Sequence, residues 1–184
     1  MALTSSNMLP LGTIAPDFTL FDTVSEKKLS LNELKSDKAT LIMFICNHCP
    51  YVKHMKEELV RIANDYMQDD VLVIAISSND AEYYPEDAPD LMRKDAKKFE
   101  YPFPYLYDET QEIARAYQAA CTPDFYLFDK NMKLVYRGQL DDSRPGNEIP
   151  LTGKDLRDAI EDLLKGNPIA ENQVPSVGCN IKWK

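Results

Sequence analysis

The sequence predicts an α/β fold built on a mixed central sheet flanked by helices, and three observations carry that prediction. Two continuous apolar runs, Leu41 to Ile45 and Val71 to Ile76, have the length and β-branching of strands buried on both faces. Between them Val52, Met55, Leu59, Ile62 and Tyr66 recur every three or four residues, the apolar stripe of an amphipathic helix. Two buried strands joined by a helix form a right-handed βαβ unit, which makes the pair parallel. Further on, strands over Asp124–Phe128 and Lys133–Arg137 are joined through a turn at Asp129-Lys130-Asn131. A turn that short requires antiparallel pairing, so the sheet is mixed.

The remaining elements follow in chain order. Residues 1–15 read as a loose lead-in. Weak alternation over Ala15–Asp22, together with Leu29 and Leu31, predicts an N-terminal β-hairpin. Ser30-Leu31-Asn32-Glu33 has the spacing of a capping box, hence a brief helix through Leu34. After the second apolar strand, residues 79–90 are rich in tyrosine and acid and are interrupted by Pro85 and Pro89, a loop. Glu82, Glu86, Asp87 and Asp90 match no calcium-loop spacing, so a solvated insertion is expected there. Asp90 to Phe99 reads as an inserted helix. Pro102-Phe103-Pro104 forces an extended passage into Tyr105-Leu106-Tyr107. Asp108 and Gln111 cap a helix carrying Ile113, Ala114 and Tyr117. Thr152 and Asp155 cap a last helix, with Leu151 and Leu156 as its staple, Leu156, Ile160, Leu163 and Leu164 as its buried stripe and Gly166 at its end. The tail, 167–184, holds Cys179 and Trp183, the single tryptophan.

Composition limits the possible functions. A chain of 184 residues suits one domain, here 1–184, able to bury a core without disulfide staples. With 44% hydrophobic and 28% charged residues it has the make-up of a soluble globular protein. A net charge of −9 argues against nucleic acid or anionic membrane as the main partner. No apolar run approaches the roughly 20 residues of a membrane span. The first residues, Met1 to Asn7, lack the basic head and apolar stretch of a secretory signal, so a cytoplasmic location is expected. Thiols stay reduced there, and four cysteines are then expected to be catalytic, redox-sensing or metal-binding rather than structural.

The chemistry concentrates in Cys46-Asn47-His48-Cys49, where the first apolar strand gives way to the helix. A C-x-x-C at that junction places its first sulfur near unbonded backbone N–H groups and the positive end of a helix dipole. Such a field favours thiolate over thiol. If Cys46 caps the helix, Pro50 falls just past the free first turn, so the helix either starts a residue or so later or loses one bond. The competing readings are a lone zinc half-site or merely two buried cysteines, but a structural zinc ion takes four ligands. His48, His54, Cys121 and Cys179 form no second closely spaced pair, so redox chemistry is favoured and no metal or other cofactor is expected. His48, inside the motif, is expected to favour the Cys46 thiolate and so make the pair more oxidising than thioredoxin, at about −270 mV. His54 and Lys53 read as helix-surface residues. Arg137 and Arg144 could hold an anion near the thiolate, but salt bridges in a turn explain them more simply.

The order strand, C-x-x-C, helix, strand, helix, Thr-Pro, two antiparallel strands, helix resembles the thioredoxin fold over roughly residues 8–165. Ala15-Pro16-Asp17-Phe18 and the inserted helix make it similar to the redoxin branch, akin to the alkyl hydroperoxide reductase/thiol-specific antioxidant family. The resemblance implies an exposed attacking thiol at Cys46 and a buried resolving thiol at Cys49. It also implies a cis-proline at Pro123, after Thr122, whose loop faces the disulfide and pairs with substrate backbone. Two family positions differ: Thr40 stands where thioredoxins bury a carboxylate, and Ile45 where they carry tryptophan. The peroxiredoxin pattern P-x-x-x-T-x-x-C is absent. Counted back from Cys49 its proline and threonine places hold Ile42 and Cys46, and from Cys46 they hold Ala39 and Met43. Cys121, close to Pro123, reads equally as an accessory thiol or an apolar filler. For Cys179, tethering or packing is favoured over an accessory role.

The function expected is thiol–disulfide exchange by Cys46 and Cys49, in a cytosolic redox or antioxidant role. It would act on a protein or small-molecule disulfide and be recycled by a separate thiol reductant. The alternatives are a peroxiredoxin-like thiol peroxidase, a zinc-binding module and a redox-dependent binding adaptor.

Overall fold

The computed structural model describes residues 3–184. The chain opens with strand β1 (Leu3–Ser5), then the hairpin β2 (Thr19–Asp22) and β3 (Lys27–Ser30), a single-turn helix α1 (Leu31–Leu34), β4 (Ala39–Phe44) and the long helix α2 (Pro50–Tyr66). Strand β5 (Val71–Ser77), α3 (Pro89–Lys98), β6 (Tyr105–Tyr107), α4 (Glu112–Ala116), β7 (Cys121–Thr122), β8 (Asp124–Asp129), β9 (Leu134–Tyr136), α5 (Lys154–Lys165) and β10 (Val177–Asn180) follow. Seven strands form the main sheet in the order β3-β2-β6-β5-β4-β8-β9, and β1-β10-β7 form a second, smaller one. Within the main sheet β4 runs parallel to β5 and antiparallel to β8, the mixed α/β architecture the sequence predicts. No helix among the described residues is long and apolar enough to cross a membrane.

Strand β4 lies inside the sheet between β5 and β8, and every one of its residues is buried. Successive side chains point to opposite faces, so its residues feed two cores. Leu41 and Met43 pack with Val52, Met55, Leu59 and Ile62 of α2 and Leu156 and Ile160 of α5. Ile42 and Phe44 join Ile74, Ile76, Leu106, Tyr117, Tyr126 and Phe128 on the opposite face. Each such side chain contributes about 1.5–3 kcal/mol on burial, so the sheet centre is the most rigid place on which to mount a site.

Several elements differ from expectation at their ends. Leu3–Ser5 is a strand rather than loose lead-in, because it finds the edge of β10; residues 1 and 2 lie outside the described residues. Pro89 begins α3 rather than breaking structure, since a first-turn residue has no intrahelical use for its N–H. Gln111, in the left-handed region, precedes α4, while Asp108 accepts the Ala114 N–H from outside the helix (2.9 Å). Gly153 rather than Thr152 is the N-cap of α5, and Asp141 accepts the N–H groups of Thr152 and Gly153 at 2.7 and 2.6 Å. The capping box at Ser30 and Glu33 and the Gly166 C-cap are as predicted.

Candidate active site

Cys46 and Cys49 leave the C-terminal end of β4 where it meets α2. The helix starts at Pro50, with Cys49 as its N-cap in extended conformation. Proline is suited to that first position, and this places Cys49, not Cys46, at the positive end of the dipole. The Thr122–Pro123 bond is cis, as the resemblance implied, and its loop lies against both sulfurs. Cys46 Sγ is 3.4 Å from Thr122 Oγ1, and the Cys49 thiol reaches the Thr122 carbonyl at 3.2 Å. On its other side Cys49 Sγ lies 3.0 Å from Cys179 Sγ. No disulfide links any of the four cysteines.

The surroundings treat the two motif sulfurs unequally. The largest influence on Cys49 is the hydrogen bond from Cys46, and burial opposes it. The Cys179 thiol and the backbone N–H groups of Val52 and Cys179 act with Cys46, and together they pull Cys49 down to about 4. Cys46 is pushed well up, first by donating to Cys49, then by burial and the negative charge of Asp87. These surroundings favour negative charge at Cys49 over Cys46, whereas the sequence reading expected it at the first sulfur. A second correction concerns access: Cys46 is only 1% exposed and Cys49 is fully buried. Cys46, for which the resemblance implied an exposed attacking thiol, is buried here, and the tail covers its partner Cys49 through Cys179.

That cover is stitched down along its length. Strand β10 pairs with β7 so that Cys179 faces Thr122 and Asn180 faces Cys121. The Ser176 hydroxyl donates to the Pro123 carbonyl at 2.8 Å. The Lys182 N–H donates to Asn79 Oδ1, and the Lys182 carbonyl accepts from the Asp80 N–H and Gln111 Nε2. Beyond it the Arg115 guanidinium lies over the Trp183 ring.

Asp87 is the functional residue that sequence reasoning missed. It sits in a single 3-10 turn, Pro85–Asp87, and is fully buried, so the expectation of a solvated insertion fails there. One oxygen accepts the backbone N–H groups of Asn47 (2.7 Å) and His48 (3.3 Å), and the other is 2.6 Å from His48 Nδ1 and 2.8 Å from Asn79 Nδ2. Burial alone would raise its pKa, but the hydrogen bonds from His48, Asn79 and Asn47 hold it below the usual carboxylate range. Asp87 thus clamps the Asn47-His48 turn between the cysteines. The His48 ring stacks on Tyr84 at 5.2 Å, and Tyr105 donates to Asn47 Oδ1 at 3.2 Å. No local pattern in the acid-rich loop distinguishes Asp87 from Glu86 or Asp90; only packing does.

One ligand atom each from Cys46, His48 and Asp87 lie within 4.8 Å of one another. Among the described residues this is the donor set on which a metal could draw. Both Asp87 oxygens already accept two hydrogen bonds each, and the set is one short of the four ligands of a structural zinc site.

Cys121 lies near the pair but faces away from it. Opposite residues of an antiparallel pair share a face, and neighbours in a strand alternate. With Thr122 turned toward the motif, the Cys121 thiol points instead to the Pro123 carbonyl at 3.4 Å, and burial pushes its pKa up. Arg137 is fully buried rather than in an exposed turn. It pairs with Asp124 at 3.3 Å and covers the Tyr126 ring, while Arg144 bonds the Asp141 and Ser143 carbonyls.

Comparison with known proteins agrees with this arrangement. The profile of the AhpC/TSA family matches residues 11–137. An uncharacterized conserved protein from Geobacillus kaustophilus is 61% identical, with a TM-score of 0.98 over 100% of this chain and 97% of its own. A hypothetical protein from Sinorhizobium meliloti 1021 is 48% identical, with a TM-score of 0.96 over 98% of each chain. The thioredoxin domain of a thiol-disulfide oxidoreductase from Bacteroides vulgatus, 20% identical, shares the fold at a TM-score of 0.65 over 85% of this chain and 99% of its own. No curated protein matches the chain. Given the match across residues 11–137, the thioredoxin-like sheet and the cis-proline loop beside a C-x-x-C, this chain belongs to the AhpC/TSA family.

Proposed function

We propose that the protein is a thiol–disulfide oxidoreductase whose Cys46 and Cys49 cycle between dithiol and disulfide. The observation that carries this reading is the placement of both motif sulfurs at the start of α2, against the cis Thr122–Pro123 loop. Cys46 attacks one sulfur of a substrate disulfide and passes its proton to the Cys49 thiolate. A mixed disulfide forms, and the other half of the substrate leaves as a thiolate. That leaving thiolate takes the proton from Cys49, whose sulfur then attacks Cys46. The second half of the substrate departs and an intramolecular disulfide remains. A thiol reductant of the cell returns the pair to its starting state. His48, held by Asp87, keeps the turn between the two sulfurs in place.

A second reading is favoured by the enclosure of the pair: a small oxidant such as a peroxide reaches a covered sulfur more readily than a protein disulfide does. One experiment separates the two. Reduced protein is equilibrated against glutathione buffers, and peroxide consumption with a thiol donor is followed in parallel. Disulfide exchange predicts loss of two thiols in one transition, absent from Cys49→Ala, with slow peroxide turnover. Rapid peroxide consumption would replace the first reading with the second. Retention of all thiols would refute both.

A further inference from the structure

The third sulfur at this site comes from far along the chain. Cys179 is 130 residues from Cys49, yet its sulfur lies 3.0 Å from that of Cys49, roughly 1 Å beyond a disulfide bond length. Its direction is set by the backbone. Cys179 stands opposite Thr122 in the β10–β7 register, and opposite residues share a face. Thr122 turns its hydroxyl to Cys46, so Cys179 turns its thiol to the same place. A glycine makes the approach possible: a Cβ on Gly178 would lie 2.0 Å from the Thr122 carbonyl oxygen. Cys49 thus touches Cys179 on one side and shares the Thr122 contact with Cys46 on the other. A buried cysteine that only filled space would need neither the register nor the contact.

We infer that Cys179 is a third redox residue, which exchanges into the Cys46–Cys49 disulfide at the Cys49 sulfur and forms a Cys49–Cys179 bond. The inference rests on the reading of Cys46 and Cys49 as a redox pair. In the step, Cys179 loses its proton and its sulfur attacks Cys49. The Cys49–Cys179 bond forms and the Cys46–Cys49 bond breaks. Cys46 leaves with the bonding electron pair and takes up the proton that Cys179 released. The number of disulfides is unchanged, so the exchange itself needs no further oxidant or reductant. Cys46 returns to its thiol form while the oxidising equivalent is stored between α2 and β10, and the tail is tied covalently over the site.

Trypsin makes the outcome readable. Cys46 and Cys49 fall in peptide 39–53, Cys121 in 116–130 and Cys179 in 166–182. Wild type, Cys46→Ser and Cys179→Ser are equilibrated in glutathione buffers, acid-quenched, alkylated, digested and weighed. Oxidised wild type should give peptide 39–53 lighter by two hydrogens and also 39–53 joined to 166–182. Cys46→Ser should give the joined peptide with loss of two of its three thiols. Three alkylated thiols in Cys46→Ser, or glutathione on Cys49 alone, in a buffer that oxidises wild type, would overturn the inference. So would absence of the joined peptide from oxidised wild type, a readout that depends on no variant folding. Cys179→Ser tests the underlying pair separately: the internal bond in 39–53 must still form there, and its absence refutes the redox-pair reading instead.

Discussion

Gly178→Ala should open the active site. The added Cβ would lie 2.0 Å from the Thr122 oxygen, 2.7 Å from its carbonyl carbon and 3.1 Å from Pro123 Cδ. These atoms belong to the backbone and ring of the loop against the sulfurs, so no flexible side chain can swing aside. A carbon–oxygen contact needs about 3.3 Å, so β10 must retreat by roughly 1.3 Å, enough to break its short pairing with β7. Overpacking of this kind costs about 1–3 kcal/mol. For a chain of 184 residues that lowers Tm by about 2–12 °C. Most of the strain is relieved when the tail lifts, so the same energy appears as a larger open fraction, about 5- to 150-fold at 1.4 kcal/mol per tenfold. Iodoacetamide labelling of peptide 39–53 in reduced protein should accelerate by that factor. A lower Tm with unchanged labelling would show that something other than β10 shields Cys46 and Cys49. No change in either would refute the reasoning altogether.

Two further outcomes follow from the electrostatics of the pair. Asp87→Asn keeps the shape but removes the charge from a carboxylate that accepts four hydrogen bonds. It should lower stability by about 1.5–3 kcal/mol. Because the folded pKa of Asp87 is depressed, the difference from wild type should be complete above the ordinary Asp value of about 3.9 and vanish as pH falls through the folded value. Thermal melts against pH test this. Cys46 should also become more acidic in that variant, since Asp87 raises it; the pH profile of alkylation reads this directly. The second outcome concerns thiolate absorbance of the reduced protein, which should titrate with a midpoint of about 4. It should survive in Cys46→Ser, whose hydroxyl still donates to Cys49, and vanish at neutral pH in Cys49→Ser. With the folded Cys49 pKa below the free-thiol value of about 8.5, stability of the reduced form should rise with pH between those two values. A neutral-pH thiolate lost in Cys46→Ser but kept in Cys49→Ser would reverse the assignment.

What the linear chain decided by itself was whatever depends on near neighbours and periodicity. The apolar runs became β4 and β5, the Val52–Tyr66 stripe became the buried face of α2, and the turn at Asp129–Asn131 brought β8 and β9 together antiparallel. Cys46 and Cys49 were legible as a pair because both lie within one strand–helix junction. Packing alone decided the rest. Whether an acid is solvated or buried depends on what folds over it, so Asp87 looked like its neighbours until the turn at Pro85–Asp87 closed on Asn47 and His48. The placement of the thiolate on Cys49 depends on where α2 begins and on donors from residues 46, 52 and 179. The third sulfur is the clearest case. Nothing within the tail sequence points at Cys49, and the two meet because a strand edge at Cys121–Thr122 offers backbone hydrogen bonds that β10 satisfies.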